Sequence, residues 1–202
     1  VVGPDEDAWG EVVSAFAGKR ILVTGAGGSI GSELCRQIAT IGPESLILFE
    51  NSENNLFEID HEIRDTLGDR TIAVLGDIRD ETDVERAFVT HRPQVVLHAA
   101  AFKHVPMMEA HPAAAIDNNV LGTGVVVQAA HRHGVERFLF ISTDKAVNPT
   151  NVMGASKRMA EMVVLARAAD SKTQFACVRF GNVLGSRGSV LHTFRRQIEA
   201  GG

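Results

Sequence analysis

Two runs of this sequence carry residue types that can do chemistry on a small charged ligand. The first is Thr24-Gly-Ala-Gly-Gly-Ser-Ile-Gly31, where Gly25, Gly28 and Gly31 recur at every third position. A glycine at the first position allows a tight bend off a strand. One at the second lets backbone N–H groups approach a pyrophosphate, and one at the third lets a helix lie close on a sheet. Ser29, Ile30 and Gly31 then form the first helical turn, whose dipole favours an anion. A glycine-rich surface loop is the plainer alternative. The second run is Ser142-Thr143-Asp144-Lys145, followed by Met153 and Lys157, four apart and therefore on one helical face. A simple ion pair of Asp144 with Lys145 at a strand end is the plainer reading there.

The flanking segments must place these runs. Ile21-Leu22-Val23, ahead of the glycines, reads as a strand buried on both faces, with a helix from Ser29 to about Ile41 behind it, stopped by Gly42-Pro43. A second strand, Ser45–Phe49, ends at Glu50, where a carboxylate can accept hydrogen bonds from an adenosine ribose and repel a 2′-phosphate. That favours NAD over NADP; a solvated acid is the alternative. A helix over 51–67 and a third strand, Thr71–Leu75, follow. Asp77 can meet an adenine amino group and Ile78 its ring face, or Asp77 is only a turn residue. Asp80 is placed to cap the next helix.

Residues 94–98 form the fourth strand, and Ala99-Ala100-Ala101 after it leave room for a flat ligand, or for close packing of strand and helix. Phe102–Met108 reads as a loop, offering Lys103 and His104 to an anionic or hydroxylated substrate. Pro112 opens a long helix over 113–133, in which the polar Asn119 is placed to hold the backbone of the active-site strand and is expected to contact the cofactor. The fifth strand, Arg137–Ile141, brings Thr143, Asp144 and Lys145 to the carboxyl edge of the sheet, where open α/β sheets bind ligands. A helix from about Val152, a sixth strand (Gln174–Arg179), a loop and a last helix over 190–200 complete an α/β, doubly wound parallel sheet with helices on both faces.

Composition narrows the function. The 202 residues carry a net charge of -5 with no basic run, which argues against nucleic acid as a partner. The spacings of His98, His104 and His111 do not match a metal pair, so no metal is expected. Cys35 and Cys177 read as thiols of a reducing compartment. With no bilayer-spanning apolar run, the chain is expected to be cytoplasmic, or the soluble part of a membrane-anchored protein without direct membrane contact.

TGAGGSIG, HAAAFKHVP, NNVLGTG, STDKAVNPTNVMGASK and VRFGNVLGSRGSV, in this order, resemble the extended short-chain dehydrogenase/reductases. More closely, they resemble the UDP-N-acetylglucosamine 4,6-dehydratases of bacterial polysaccharide biosynthesis. The resemblance implies a Rossmann-like NAD-binding domain over 19–202 carrying the start of a substrate lobe largely missing at the C-terminus, after a linker and short helix over 1–18. In the broad superfamily a tyrosine lies four positions before the active lysine. Here Met153 precedes Lys157, and the chain contains no tyrosine. A thioether has no proton to exchange, so the chain is either a dead relative or one of the dehydratases that carry methionine there.

In those enzymes NAD oxidises C4 of the sugar, a base removes the C5 proton while an acid helps the C6 hydroxyl leave, and hydride returns to C6. The resemblance implies Lys145 as that base and Asp144 as that acid. A lysine base needs its pKa lowered, as burial or a nearby cation does, and an aspartic acid donor needs its pKa raised, so the surroundings of the two must differ. Thr143 is then expected to polarise the C4 hydroxyl, and Lys157 to hold the nicotinamide ribose beside Met153. Asn182 and Ser189 are expected to join Lys103 and His104 on the UDP-sugar. Met153 and Glu50 point to retention at C5. A UDP-sugar 4-epimerase and a non-catalytic NAD-binding scaffold are the competing readings. Superfamily members pair through long helices, so a homo-oligomer is expected.

Overall fold

The computed structural model describes residues 6–181 and 183. Among these, six strands form one parallel sheet: β1 (Arg20–Thr24), β2 (Ser45–Glu50), β3 (Thr71–Leu75), β4 (Val95–His98), β5 (Arg137–Thr143) and β6 (Gln174–Phe180). Their order in space is β3-β2-β1-β4-β5-β6. The apolar runs are unbroken because both faces of the sheet are covered. Leu22 enters one core with Ile47, Val96 and Phe138. Its neighbours Ile21 and Val23 enter the other with Leu46, Leu48, Val95 and Leu97. Side chains alternate along a strand, so a strand covered on both sides has no position for a solvated residue.

Helices α1 (Glu6–Phe16), α2 (Ser29–Ile41) and α3 (Glu53–Leu67) close the second core with Phe16, Cys35, Ile38, Ile59 and Ile63. The first core is closed by α4 (Glu81–His91) and by two further helices described below. Caps set the starts of these helices. Ser52 accepts the N–H of Asn55, which begins α3 two residues later than the sequence pattern implies. Asp80 accepts from Thr82 and Asp83 and starts α4 as expected.

The segment expected to be a loop contains a short helix, α5 (Val105–Ala110), whose Met108 is buried against Ala115 and Met153. The expected long helix is continuous in its path but not in its winding. It comprises α6 (Pro112–Ala115), a π-helical turn over Ile116–Gly122, and α7 (Thr123–Arg132). The wide turn lets two consecutive polar residues, Asn118 and Asn119, face inward together, 4% and 1% exposed. α8 (Val152–Ala168) packs beside α7, capped by Asn151 accepting the N–H of Gly154. β5 runs two residues further than expected, through Thr143. The expected helix over 190–200 lies outside the described residues.

The chain winds outward from β1 to β3 and then returns to place β4 on the other side of β1. A crevice therefore lies beyond the carboxyl ends of β1 and β4, where the winding direction changes.

Candidate active site

Three backbone pieces meet at that crevice: the turn after β1, the end of β2 and the loop after β4. Gly25 has φ of +66°, and a Cβ on it would lie 2.7 Å from the Cα of Ala100. The N–H groups of Gly25 and Ala26 donate to the Phe49 carbonyl. A Cβ on Gly31 would collide with the carbonyl of Gly25, so only glycine lets α2 start this close to the turn. Gly28, the cap of α2, is extended, with the Gly25 carbonyl 3.2 Å from where its Cβ would stand. The result is a side-chain-free backbone cradle before the first turn of α2, which carries Ser29 and Ile30. Such a cradle fits a diphosphate.

Glu50 is 6% exposed and braces this turn. One carboxylate oxygen accepts from the N–H groups of Asn51 and Ser52, the other from Gly27 at 3.0 Å. Three of its four acceptor positions are thus used, leaving one for a ribose hydroxyl. Lys103 donates to the Ser29 hydroxyl at 3.3 Å, which sets its ammonium at the start of α2. His104 is exposed at the cap of α5. Asp77 accepts from the Arg79 backbone and guanidinium, which hold its carboxyl below the usual range. Ile78 is buried in the first core, its Cδ1 2.9 Å from where a Cβ on Gly122 would stand.

A buried chain of hydrogen bonds ties the crevice to the helices. Ala100 donates its N–H to Thr24 Oγ1, which lies 2.6 Å from His98 Nδ1; His98 Nε2 lies 2.9 Å from Thr123 Oγ1. The Thr123 hydroxyl donates its only proton to the Asn119 carbonyl, so it must accept from His98 Nε2–H. His98 is therefore the neutral Nε2–H tautomer, with Thr24 donating to Nδ1. The Asn119 side chain accepts from Phe102 N–H and donates to Phe102 O and Ser156 Oγ. Asn119, expected to contact cofactor, is spent on holding the loop after Ala101 to α8. Its backbone-holding part in the sequence reading falls on this loop, not on β5.

At the end of β5, Thr143 Oγ1 donates to Asp144 Oδ1 at 2.9 Å, and Lys145 Nζ lies 3.2 Å from the same oxygen. The Thr143 hydroxyl accepts from Lys145 N–H and caps the short 3-10 turn over Asp144–Ala146. The Asp144 and Lys145 side chains are partly exposed, 56% and 34%. The hydrogen bond from Thr143 and the charge of Lys145 hold the Asp144 carboxyl below its usual range. A proton donor needs the opposite shift, so the ground-state arrangement departs from that expectation.

Met153 is 5% exposed and packs with Met108 and Ala115. It fills an apolar niche where the broad superfamily has a phenol. Lys157 is buried. Its Nζ donates to the Ile141 carbonyl at 2.7 Å and sits 3.9 Å from the Phe140 ring centroid. Burial brings its pKa down to about 7. Asn182 and Ser189 lie outside the described residues.

Four residues that sequence reasoning passed over help to build the site. Gly154 is one: a Cβ there would collide with the Lys145 carbonyl, so glycine alone lets α8 start against the Asp144–Lys145 turn. The others, Ser142, Glu161 and Arg179, form a cluster around the buried Glu161 carboxylate. A glycine in the first turn of a helix is a sequence signal for close approach; the cluster carries no local signal.

Residues 21–202 match the family model described as "Polysaccharide biosynthesis protein". The capsular polysaccharide biosynthesis protein CapD of Staphylococcus aureus is 52% identical over 91% of this chain and 31% of its own length. A Campylobacter jejuni UDP-N-acetylglucosamine 4,6-dehydratase (inverting) is 37% identical, covering 92% of this chain and 55% of that protein. A Rickettsia canadensis UDP-glucose 4-epimerase is 36% identical with the same coverage, 92% and 55%. Among solved structures, Pen from Bacillus thuringiensis superposes with a TM-score of 0.86 at 36% identity, covering 92% of this chain and 59% of that one. The Bordetella bronchiseptica enzyme WbmG, solved with NAD and UDP, gives a TM-score of 0.74 at 27% identity, covering 92% and 61%. The chain thus spans 31% to 55% of the length of these named sequence relatives.

Proposed function

Because the chain belongs to the polysaccharide biosynthesis protein family, within the extended short-chain dehydrogenase/reductases, we propose that it forms the catalytic domain of an NAD-dependent UDP-N-acetylglucosamine 4,6-dehydratase. The observation that carries this reading is the hydrogen-bonded trio Thr143, Asp144 and Lys145 at the carboxyl edge of the sheet, with an apolar Met153 in the phenol position. In this reading NAD lies with its diphosphate at Gly25, Gly28, Ser29, Ile30 and Gly31 and a ribose at Glu50. Its adenine lies by Asp77 and Ile78, its length along Ala99–Ala101, and its nicotinamide ribose by Lys157. Bound there, it supplies hydride acceptance at C4 and hydride return at C6.

The residues of the chain supply the elimination. In the ground state the Asp144–Lys145 pair carries a carboxylate and an ammonium. A proton passed along their 3.2 Å contact gives a neutral amine and a carboxylic acid. The amine then takes the C5 proton, and the acid gives its own to the C6 hydroxyl, which leaves as water. This reconciles the depressed Asp144 pKa with a donor role, because the acid form is made only in step with the base. When C6 regains its hydride, the Lys145 ammonium gives a proton to C5, and the proton freed from the C4 hydroxyl on oxidation restores that ammonium; its N–H protons exchange with solvent, which brings deuterium to C5 in deuterated water. Thr143 orients both and, with its own proton given to Asp144, accepts from the C4 hydroxyl. Lys103 and His104 flank the entrance for the UDP-sugar, and Asn182 and Ser189 complete its contacts.

A second reading, UDP-sugar 4-epimerase, is favoured by the Rickettsia relative. Incubating the full-length protein with NAD and UDP-N-acetylglucosamine in deuterated water, with product followed by NMR, separates the two. The proposal expects a 6-deoxy-4-keto sugar with deuterium at C5, and retention at C5 on the sequence reading. The inverting Campylobacter relative makes that configuration the finest point to read. A 4-epimer with O6 intact would replace the dehydratase with the epimerase, and no product at all would favour a nucleotide-holding scaffold.

A further inference from the structure

The end of β5 that carries the elimination pair is held by α8. α8 holds two consecutive residues of β5 at once, using side chains four apart on one of its faces. Lys157 Nζ donates to the Ile141 carbonyl, and Ser142 Oγ donates to Glu161 Oε1 at 2.6 Å. Glu161 also takes both arms of Arg179 from β6, Nε at 2.8 Å and Nη2 at 2.6 Å. Arg158 Nη1 adds a fourth bond at 3.0 Å. Each carboxylate oxygen accepts twice, so all four acceptor positions are filled. The Glu161 side chain is 1% exposed.

Ser142 and Arg179 are direct partners in the β5–β6 register. One carboxylate therefore fixes the ends of two strands and the helix that crosses them. The next residues in the chain are Thr143, Asp144 and Lys145. On the β6 side, Asp144 Oδ2 lies 3.3 Å from where a Cβ on Gly181 would stand, so the end of β6 walls the acid directly.

A carboxylate used this way has no part left for proton transfer. Burial alone would raise its pKa, yet the bonds from Arg179, Ser142 and Arg158 outweigh burial and bring it to about 2. It stays charged throughout the working range. Its cost of burial is offset by these partners together, and losing one leaves a buried acceptor unpaired.

We infer that Glu161, acting with Arg179 and Ser142, is the positioning residue that sets where β5 ends and so holds Asp144 and Lys145 in reacting register. The inference rests on the dehydratase reading for its kinetic consequence, but not for its structural one. Glu161→Gln keeps the size of the side chain. Its amide nitrogen cannot accept from Arg179 or Arg158, so two of the four bonds are lost and two guanidinium groups lose their counter-charge.

In the full-length protein, E161Q is expected to lower kcat by about 10²-fold, the scale of a misplacement near 1 Å. KM for the UDP-sugar and affinity for NAD should stay within about twofold, since the proposed placement of the two ligands uses none of Glu161, Arg179 and Ser142. Without substrate, amide hydrogen exchange should rise in 143–147 and stay unchanged in β1. R179K keeps the charge and loses the two-armed fork, and should give a smaller fall of about tenfold; it also serves if E161Q does not fold. The double variant should be no worse than E161Q alone, because both act through one contact. Unchanged kcat in a folded E161Q, or a fall in kcat matched by a rise in KM, overturns the inference. If the wild type makes no 4-keto product, the dehydratase reading fails and the exchange measurement alone decides: protection at 143–147 unaltered by E161Q then sinks the clamp.

Discussion

Buried His98 makes the fold sensitive to mild acid, and the size of the effect follows from its surroundings. The ring is 0% exposed, lies between Thr24 and Thr123, and faces Phe138 and Phe140. Burial, with a smaller contribution from the nearby charge of Lys157, lowers its pKa from 6.5 to about 3. The bonding pattern adds a geometric reason, because protonated Nδ1 would point a proton at the hydroxyl that donates to it. Between pH 6.5 and 3 the unfolded chain therefore binds a proton that the folded chain refuses, and stability falls as pH falls through that window. At one proton and about 1.4 kcal/mol per pH unit, the loss from pH 8 to pH 5 is about 2 kcal/mol. That is a sizeable part of the 5–15 kcal/mol typical of a domain. Carboxylates contribute little in this range because their ordinary pKa values lie below pH 5. His91 shifts in the same direction, also by burial. Urea unfolding followed by circular dichroism at pH 8, 7, 6 and 5, on the wild type and His98→Gln, isolates the His98 share. The variant should be less stable at pH 8 yet lose about 2 kcal/mol less on acidification. Equal pH slopes in the two proteins, or an NMR titration of the His98 ring near pH 6.5, would refute the reasoning.

Two further outcomes follow from the same core. Lys157 has a pKa depressed from 10.5 to about 7 by burial, partly opposed by Glu161 and Cys177. The unfolded chain binds more protons between those values, so stability rises with pH across that window; Lys157→Met should therefore stabilise the protein at pH 7, by ~4 kcal/mol at most, and the gain should vanish by pH 10.5 while turnover is lost, all measurable by urea unfolding beside an activity assay. The outer face of α8 exposes Met159, Met162 and Leu165 at three-residue spacing, beside Leu121 of the π-helical turn. If this stripe is the self-association face of a homo-oligomer, Met162→Glu should yield monomers in light scattering without altering NAD affinity, and an unchanged mass would remove it from that role.

What could be read from the sequence was whatever depends on neighbours within a few residues. The bounds of α2, Ser29–Ile41, follow from glycines at both ends, and the start of α4 from the carboxylate of Asp80. The three strands through Ile21–Val23, Leu46–Phe49 and Val95–Leu97 follow from unbroken apolar runs, which need only the period of the chain and two covered faces. The π-helical turn was not legible, because Asn119 faces inward for Phe102 and Ser156, 17 and 37 residues away. Without those partners, two adjacent asparagines look like a solvated stretch. α5 was hidden for the same reason, since Met108 is buried by Met153 and Ala115 from other helices.

Glu161 is the sharpest case. On a 17-residue helix an acid reads as a solvent-facing residue, as most acids are. It becomes structural only when Ser142 and Arg179, 19 and 18 residues away, arrive on adjacent strands. The chemistry-bearing run Thr143–Lys145 was visible as residue types, whereas the surroundings that set its proton affinities were not. A carboxylate beside a lysine can have its pKa moved either way, and the direction is decided by the hydroxyl of Thr143 and the charge of Lys145 acting through space. Local pattern thus names the groups that can react, and long-range packing determines the geometry and charge state in which they stand ready to do so.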